Sequence, residues 1–142
     1  AVGCGLSKGT YRLVLNASKE QLNTVIYQRK YYSKNVAYKK SKAKNLNATE
    51  MYTMNEKAAR WYKVSVSSTK KRKAVTLSKD SVGGGFKFCV YQKGKRLKTV
   101  KVTKNDKVKT VKLPKKKGAY YVKVTKLTSK TTGAYYLGTY TY

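Results

Sequence analysis

The sequence predicts an all-β protein, an antiparallel β-sandwich of jelly-roll-like architecture, and three observations carry that expectation. From Arg60 to Tyr142 apolar and polar residues alternate with the period of two that sends successive side chains to opposite faces of a strand. The alternating runs are rich in Val, Thr, Tyr and Phe, and they recur at roughly the 8–12-residue spacing of sandwiches and barrels. Turn residues separate them: Gly83–Gly85, the Gly94 region, Lys104–Asp106, Pro114–Gly118 and Gly133. At 142 residues and 40% hydrophobic content the chain reads as one domain, residues 1–142, with 1–59 as leading strands and loop and 60–142 as the core.

Taken in order, Thr10–Leu15 and Thr24–Tyr32 are apolar, β-branched and aromatic enough to be strands. The segment Lys39–Arg60 lacks β-branched runs and is expected to be a loop, with one helical turn at Met54–Ala59. In Arg60–Val66 the inner set is Tyr62, Val64 and Val66, leaving Trp61, Lys63 and Ser65 outward. Lys73–Ser78 turns Val75 and Leu77 inward. Phe86–Tyr91 turns Phe86, Phe88 and Val90 inward and Lys87, Cys89 and Tyr91 outward. Lys98–Val102 and Lys107–Leu113 follow as shorter runs. In Ala119–Val124 the inner set is Tyr120, Val122 and Val124, against Tyr121 and Lys123. The closing run Ala134–Tyr142 carries tyrosine in both phases, and Tyr135 with Leu137 is expected to face inward.

Charge decides which functions remain open. The 34 basic residues face 5 acids, a formal net charge of +29. A field of that sign attracts polyanions and opposes compaction. Only Arg12, Arg29, Arg60, Arg72 and Arg96 carry the guanidinium fork that grips phosphate in two places; the rest are lysine, a hydrated point charge. Diffuse attraction is therefore expected, with nucleic acid less favoured as a partner than a carbohydrate or an anionic cell-surface polymer. Histidine is absent, which removes the imidazole base and the histidine-ligated metal site. Glu20, Glu50, Glu56, Asp80 and Asp106 are scattered, so neither a carboxylate pair nor a calcium site is signalled. Gly83–Gly85 lacks the following Gly-Lys-Ser/Thr of a phosphate loop. No enzyme activity, cofactor or metal is expected, and no apolar run approaches the roughly 20 residues of a membrane-spanning helix.

Ligand-binding candidates are of two kinds. Trp61, Tyr91 and Tyr121 are outward-phase aromatics of the type that stacks a sugar ring, and each has the plainer role of covering the edge of the core. Lys70, Lys71, Arg72 and Lys73 form a basic tetrad that suits a polyanion, or is a solvated turn. Cys4 and Cys89 have three open readings: a disulfide, two free thiols, or a lipidated Cys4 at the end of the lipobox-like Ala1–Cys4.

From Arg60 onward the order of features resembles the bacterial pre-peptidase C-terminal domain family, which includes the collagen-binding modules of clostridial collagenases. The Trp61–Tyr62 pair opens the core, and Tyr91–Lys95 ends a strand in a Gly-Lys turn. Gly118–Val124 is a late Gly-x-Tyr-Tyr strand, and Gly133–Leu137 closes with Gly-x-Tyr-x-Leu. The resemblance implies a jelly-roll-like sandwich without catalysis of its own, on a secreted or cell-surface bacterial protein and fused to or associated with another surface protein. Some members bind collagen or carbohydrate. Two departures matter: Arg60 stands where an acid often precedes the Trp-Tyr pair, and the calcium-binding acidic cluster is missing. Calcium dependence is therefore not carried over, and collagen is not the expected ligand.

Overall fold

The computed structural model describes residues 10, 12, 14, 36–46, 50–53, 58–80, 84–129, 131 and 134–142. The sequence-predicted strands at Thr10–Leu15 and Thr24–Tyr32 and the helical turn at Met54–Ala59 fall wholly or mostly outside these residues. Nine strands are described: β1 (Lys44–Asn45), β2 (Glu50–Thr53), β3 (Arg60–Val66), β4 (Lys73–Asp80), β5 (Phe86–Gln92), β6 (Lys95–Val102), β7 (Val108–Lys112), β8 (Gly118–Lys126) and β9 (Ala134–Thr141). One 3₁₀ turn, Lys40–Lys42, precedes them. The strands form a five-stranded sheet in the order β1-β3-β8-β5-β6 and a four-stranded sheet in the order β2-β9-β4-β7. Every neighbouring pair is antiparallel except β1 with β3. From β2 onward the chain changes sheet at each connection except the β5–β6 hairpin, which gives the jelly-roll-like sandwich the sequence predicts.

The inner faces follow the period-two reading. Tyr62, Val64 and Val66 of β3, Phe86, Phe88 and Val90 of β5, and Tyr120, Val122 and Val124 of β8 are buried against Val75 and Leu77 of β4 and Tyr135 and Leu137 of β9. Each such side chain contributes about 1.5–3 kcal/mol of burial. The β5–β6 hairpin closes on Lys93 and Gly94 with φ of 48° and 80°. Positive φ at both turn residues matches the strand twist, and it explains a glycine at position 94. Gly85 is glycine for a different reason: a Cβ there would overlap the Val102 carbonyl oxygen, so the Gly83–Gly85 stretch ends in a close packing contact.

The segment Lys39–Arg60 differs from its expectation as a loop, because β1 and β2 lie within it. Both are short strands created by their partners. β1 takes its register from β3, Lys44 beside Tyr62, and β2 lies along β9. Intrinsic propensity carries no trace of such edge pairing.

Two polar constellations brace the sandwich. In the core the Tyr62 and Tyr135 hydroxyls meet at 2.6 Å and tie β3 to β9 across the layers. Burial first, and the neighbouring Tyr135, push the Tyr62 phenol far above its ordinary value; the Arg60 guanidinium acts on it in the opposite sense. Arg60 is itself only 4% exposed, so its guanidinium is an interior group. At the β6–β7 turn, Asp106 accepts hydrogen bonds from the Thr103 backbone N–H at 2.9 Å and the Thr103 hydroxyl at 2.7 Å, and it pairs with Lys109 at 2.7 Å. Lys109 and then Thr103 hold this carboxyl well below the usual carboxylate range.

Replacing Tyr135 with Phe should cost about 0.5–1.5 kcal/mol in urea unfolding, because its hydrogen bond with the Tyr62 hydroxyl is lost while Arg60 still engages that hydroxyl. The Tyr62→Phe/Tyr135→Phe double variant should cost less than the sum of the singles; strict additivity would show that the two hydroxyls do not act as a pair. For Asp106, a depressed folded pKa means stability that is present above the unfolded value of about 4 and is lost as pH falls toward the folded value. Asp106→Asn should therefore be less stable than wild type at neutral pH, with the gap narrowing below about pH 4. A gap that is constant with pH would contradict this.

Candidate functional site

The outward face of the five-stranded sheet gathers the three candidate aromatics. Register sets two rows across the strands: Lys63, Tyr121, Tyr91 and Arg96 in one, and Trp61, Lys123, Cys89 and Thr99 in the next. Trp61 leans diagonally over β8 to meet Tyr91, with ring centroids 5.4 Å apart and planes at 45°. All three aromatics are half-buried. Trp61 is steadied from the edge, where its backbone N–H donates to the Ala37 carbonyl at 2.8 Å. The strap 36–46 runs along the outer edge of β3 and is pinned by buried Ala37 and Leu46.

Two ammonium groups cover the cluster. Lys123 Nζ lies 5.5 Å from the Trp61 ring centroid, and Lys40 Nζ, carried by the strap, lies 4.8 Å from that of Tyr121. Each contact is worth about 0.5–1 kcal/mol at an exposed site and holds the charge at a fixed place. Burial, and then the neighbouring Cys89, push the Tyr91 hydroxyl up, while Arg96 pulls the other way. The arrangement presents localised positive charge above an apolar floor. A neutral sugar seeking the ring faces meets two cations already seated there.

Cys89 has the outward phase the sequence predicts, yet it is 5% exposed, with Sγ 3.4 Å from the Thr99 hydroxyl. Its proposed partner Cys4 lies outside the described residues.

The basic tetrad is not part of this face. Lys70, Lys71 and Arg72 are exposed in the β3–β4 connection, at the opposite end of β3 from Trp61. Lys73 is half-buried, and its Nζ donates to the Ser65 carbonyl at 2.7 Å, so the tetrad offers three outward cations. Sequence reasoning singled out the three rings but not Lys40, which arrives from a segment whose path along β3 has no local signal. Among the described residues no three of His, Cys, Asp and Glu gather, and no helix is long and apolar enough to cross a membrane.

No protein-family model matches the chain, and no curated protein sequence matches it. Among solved structures the chain is similar to the pre-peptidase C-terminal domain of a collagenase from Bacillus anthracis, with 19% sequence identity and a TM-score of 0.51. The match covers 69% of this chain and 93% of that one. At that identity the likeness is one of fold: this chain carries the β-sandwich of a pre-peptidase C-terminal domain.

Proposed function

We propose that this chain is a non-catalytic binding module of a secreted or cell-surface bacterial protein, and that it engages an anionic polymer of the cell surface. The observation that carries the reading is the pair of ammonium groups, Lys40 and Lys123, held over the Tyr121 and Trp61 rings on one sheet face. The net charge of +29 supplies the long-range attraction, and the fixed pair supplies a place to dock. The similar domain is part of a collagenase, which supports an accessory role beside a fused or associated partner. In an exported chain whose Cys4 is not lipidated Cys89 would pair with Cys4, and that pairing belongs to the same reading.

Lysine attraction to a charged polymer arises from release of condensed counterions, so it weakens with the logarithm of salt in proportion to the contacts made. A poly(glycerol phosphate) chain should bind wild type strongly at low salt, and a neutral glucan should bind weakly or not at all. Lys40→Gln/Lys123→Gln should keep the fold and reduce the salt slope by roughly 0.7–0.9 per lysine removed. An unchanged slope, or equal affinity of wild type for the neutral glucan, would sink the reading.

A further inference from the structure

The outward face of the four-stranded sheet differs from the Trp61 face in that its tyrosines are exposed. β9 places Tyr136, Gly138 and Tyr140 in the outward phase, and Tyr142 continues it just past the strand. The three tyrosines are 39%, 48% and 45% exposed. Tyr140 and Tyr142 stand 5.8 Å apart, while Tyr136 lies four residues back, roughly 13 Å along the strand. This ridge borders a low floor. Register puts Ala74 beside Tyr140 and Thr76 beside Gly138, and Lys112 and Thr110 of β7 lie beyond them. Ala74 and Gly138 are buried in this phase, so the groups the floor itself offers are the hydroxyls of Thr76 and Thr110. The Thr76 and Thr110 hydroxyls meet at 3.0 Å on the exposed surface, a polar pair able both to donate and to accept.

At the Tyr142 end of the strip charge is held close to the ridge. Lys112 Nζ lies 5.0 Å from the Tyr142 ring centroid. The Arg72 and Tyr142 backbones exchange two hydrogen bonds, at 3.0 and 2.9 Å, which ties the exposed Lys70–Arg72 turn to the foot of the ridge. The acid on the same strand, Asp80, stands at the far end of β4, roughly 23 Å from Lys73.

We propose that this strip is a second binding site, for an acidic polysaccharide in which neutral sugars separate the charged ones. Sugar faces lie on Tyr140 and Tyr136, ring hydroxyls meet the Thr76–Thr110 pair, and an acidic group reaches Lys112 and Arg72. A nucleic acid would also find rings here, but it carries a phosphate at every unit. Among the described residues the strip has cations at its ends, Lys112 and Arg72 at one and Lys107 at the other, and hydroxyls between them. A ringless polyanion would use the cations and ignore the tyrosines. The inference rests on the anionic-polymer reading above and assigns it a different surface.

The test uses hyaluronan oligosaccharides, in which acidic and neutral sugars alternate, followed by backbone amide shifts of the full chain and by titration. Shifts should concentrate on β4, β7 and β9. Tyr136→Ser/Tyr140→Ser should weaken hyaluronan about tenfold and polyphosphate less than twofold, since only the former stacks. Lys112→Gln/Arg72→Gln should weaken both. The proposal is overturned if shifts centre on Trp61 and Tyr91, if the tyrosine variant binds hyaluronan as wild type does, or if oligothymidylate binds the same residues more tightly. Retained binding of poly(glycerol phosphate) together with any of these results leaves the anionic-polymer reading standing and removes this site. Failure of wild type to bind any of the polyanions removes both.

Discussion

The hydrogen bond between the Tyr62 and Tyr135 hydroxyls is the interaction on which the two outer surfaces depend. A buried hydroxyl without a partner is costly, so β3 and β9 are held in the registers that bring these two groups together. Side chains alternate in a strand, so a slip of one residue would send a hydroxyl to solvent and an outward residue to the core. The neighbours are thereby assigned too. Trp61 lies next to Tyr62 and must face outward from one sheet; Tyr136 lies next to Tyr135 and must face outward from the other. Phe86, whose ring centroid is 4.9 Å from that of Tyr135, fills the space beside the pair. Arg60 extends the same polar pocket, and the phenols give a buried guanidinium a polar environment in an otherwise apolar core.

A protein with five acids cannot balance its lysines with carboxylates, and the structure uses other groups instead. Lys73 and Lys79 donate to the backbone carbonyls of Ser65 and Lys104, at 2.7 and 3.0 Å. Lys40, Lys112 and Lys123 sit over tyrosine or tryptophan rings. Both kinds of partner are neutral, so they orient the ammonium group without cancelling its charge. The outcome is a surface whose positive field survives folding and whose charges nevertheless have fixed positions. The Asp106–Lys109 pair shows the other solution, used at a turn where an acid also caps the Thr103 backbone.

Much of the sandwich was legible because burial on one face imposes the period of two. The inner sets of β3, β5 and β8 could be written down from alternation alone, and even β9 resolved once Tyr135 and Leu137 were placed inward. β1 and β2 were not legible, since each exists only through a partner distant in sequence. The site was legible by phase and not by cover. Trp61, Tyr91 and Tyr121 do face outward, but Lys40 comes from a strap whose course is set by hydrogen bonds to β3. Phase likewise placed Cys89 outward, whereas its burial follows from the neighbouring rows of the sheet. The tetrad looked uniform in sequence and is divided in space, because Lys73 begins β4 and turns back toward Ser65. Tyr136, Tyr140 and Tyr142 share one phase, yet tyrosine in the opposite phase at 135 hid them as a set.

The two outer faces then follow from what lies along each sheet's edges. On the five-stranded sheet the strap 36–46 occupies the edge of β3 and brings a lysine over Tyr121, while Lys123, one row away, covers Trp61. The rings become a seat for charge. On the four-stranded sheet the outward-phase β4 residues beside β9 are alanine, threonine and serine, too short to cover a tyrosine, and Tyr136, Tyr140 and Tyr142 are exposed. At the Tyr142 end of that face charge is supplied by Lys112 and by the turn bound to Tyr142. The same two ingredients, aromatic rings and lysines, thus give one face where cations lie over half-buried rings and one where a cation lies over the terminal ring, Tyr142, and Tyr136 and Tyr140 remain exposed. A ligand bearing only charge is suited to the first, and a ligand with both a flat face and a charge is suited to the second.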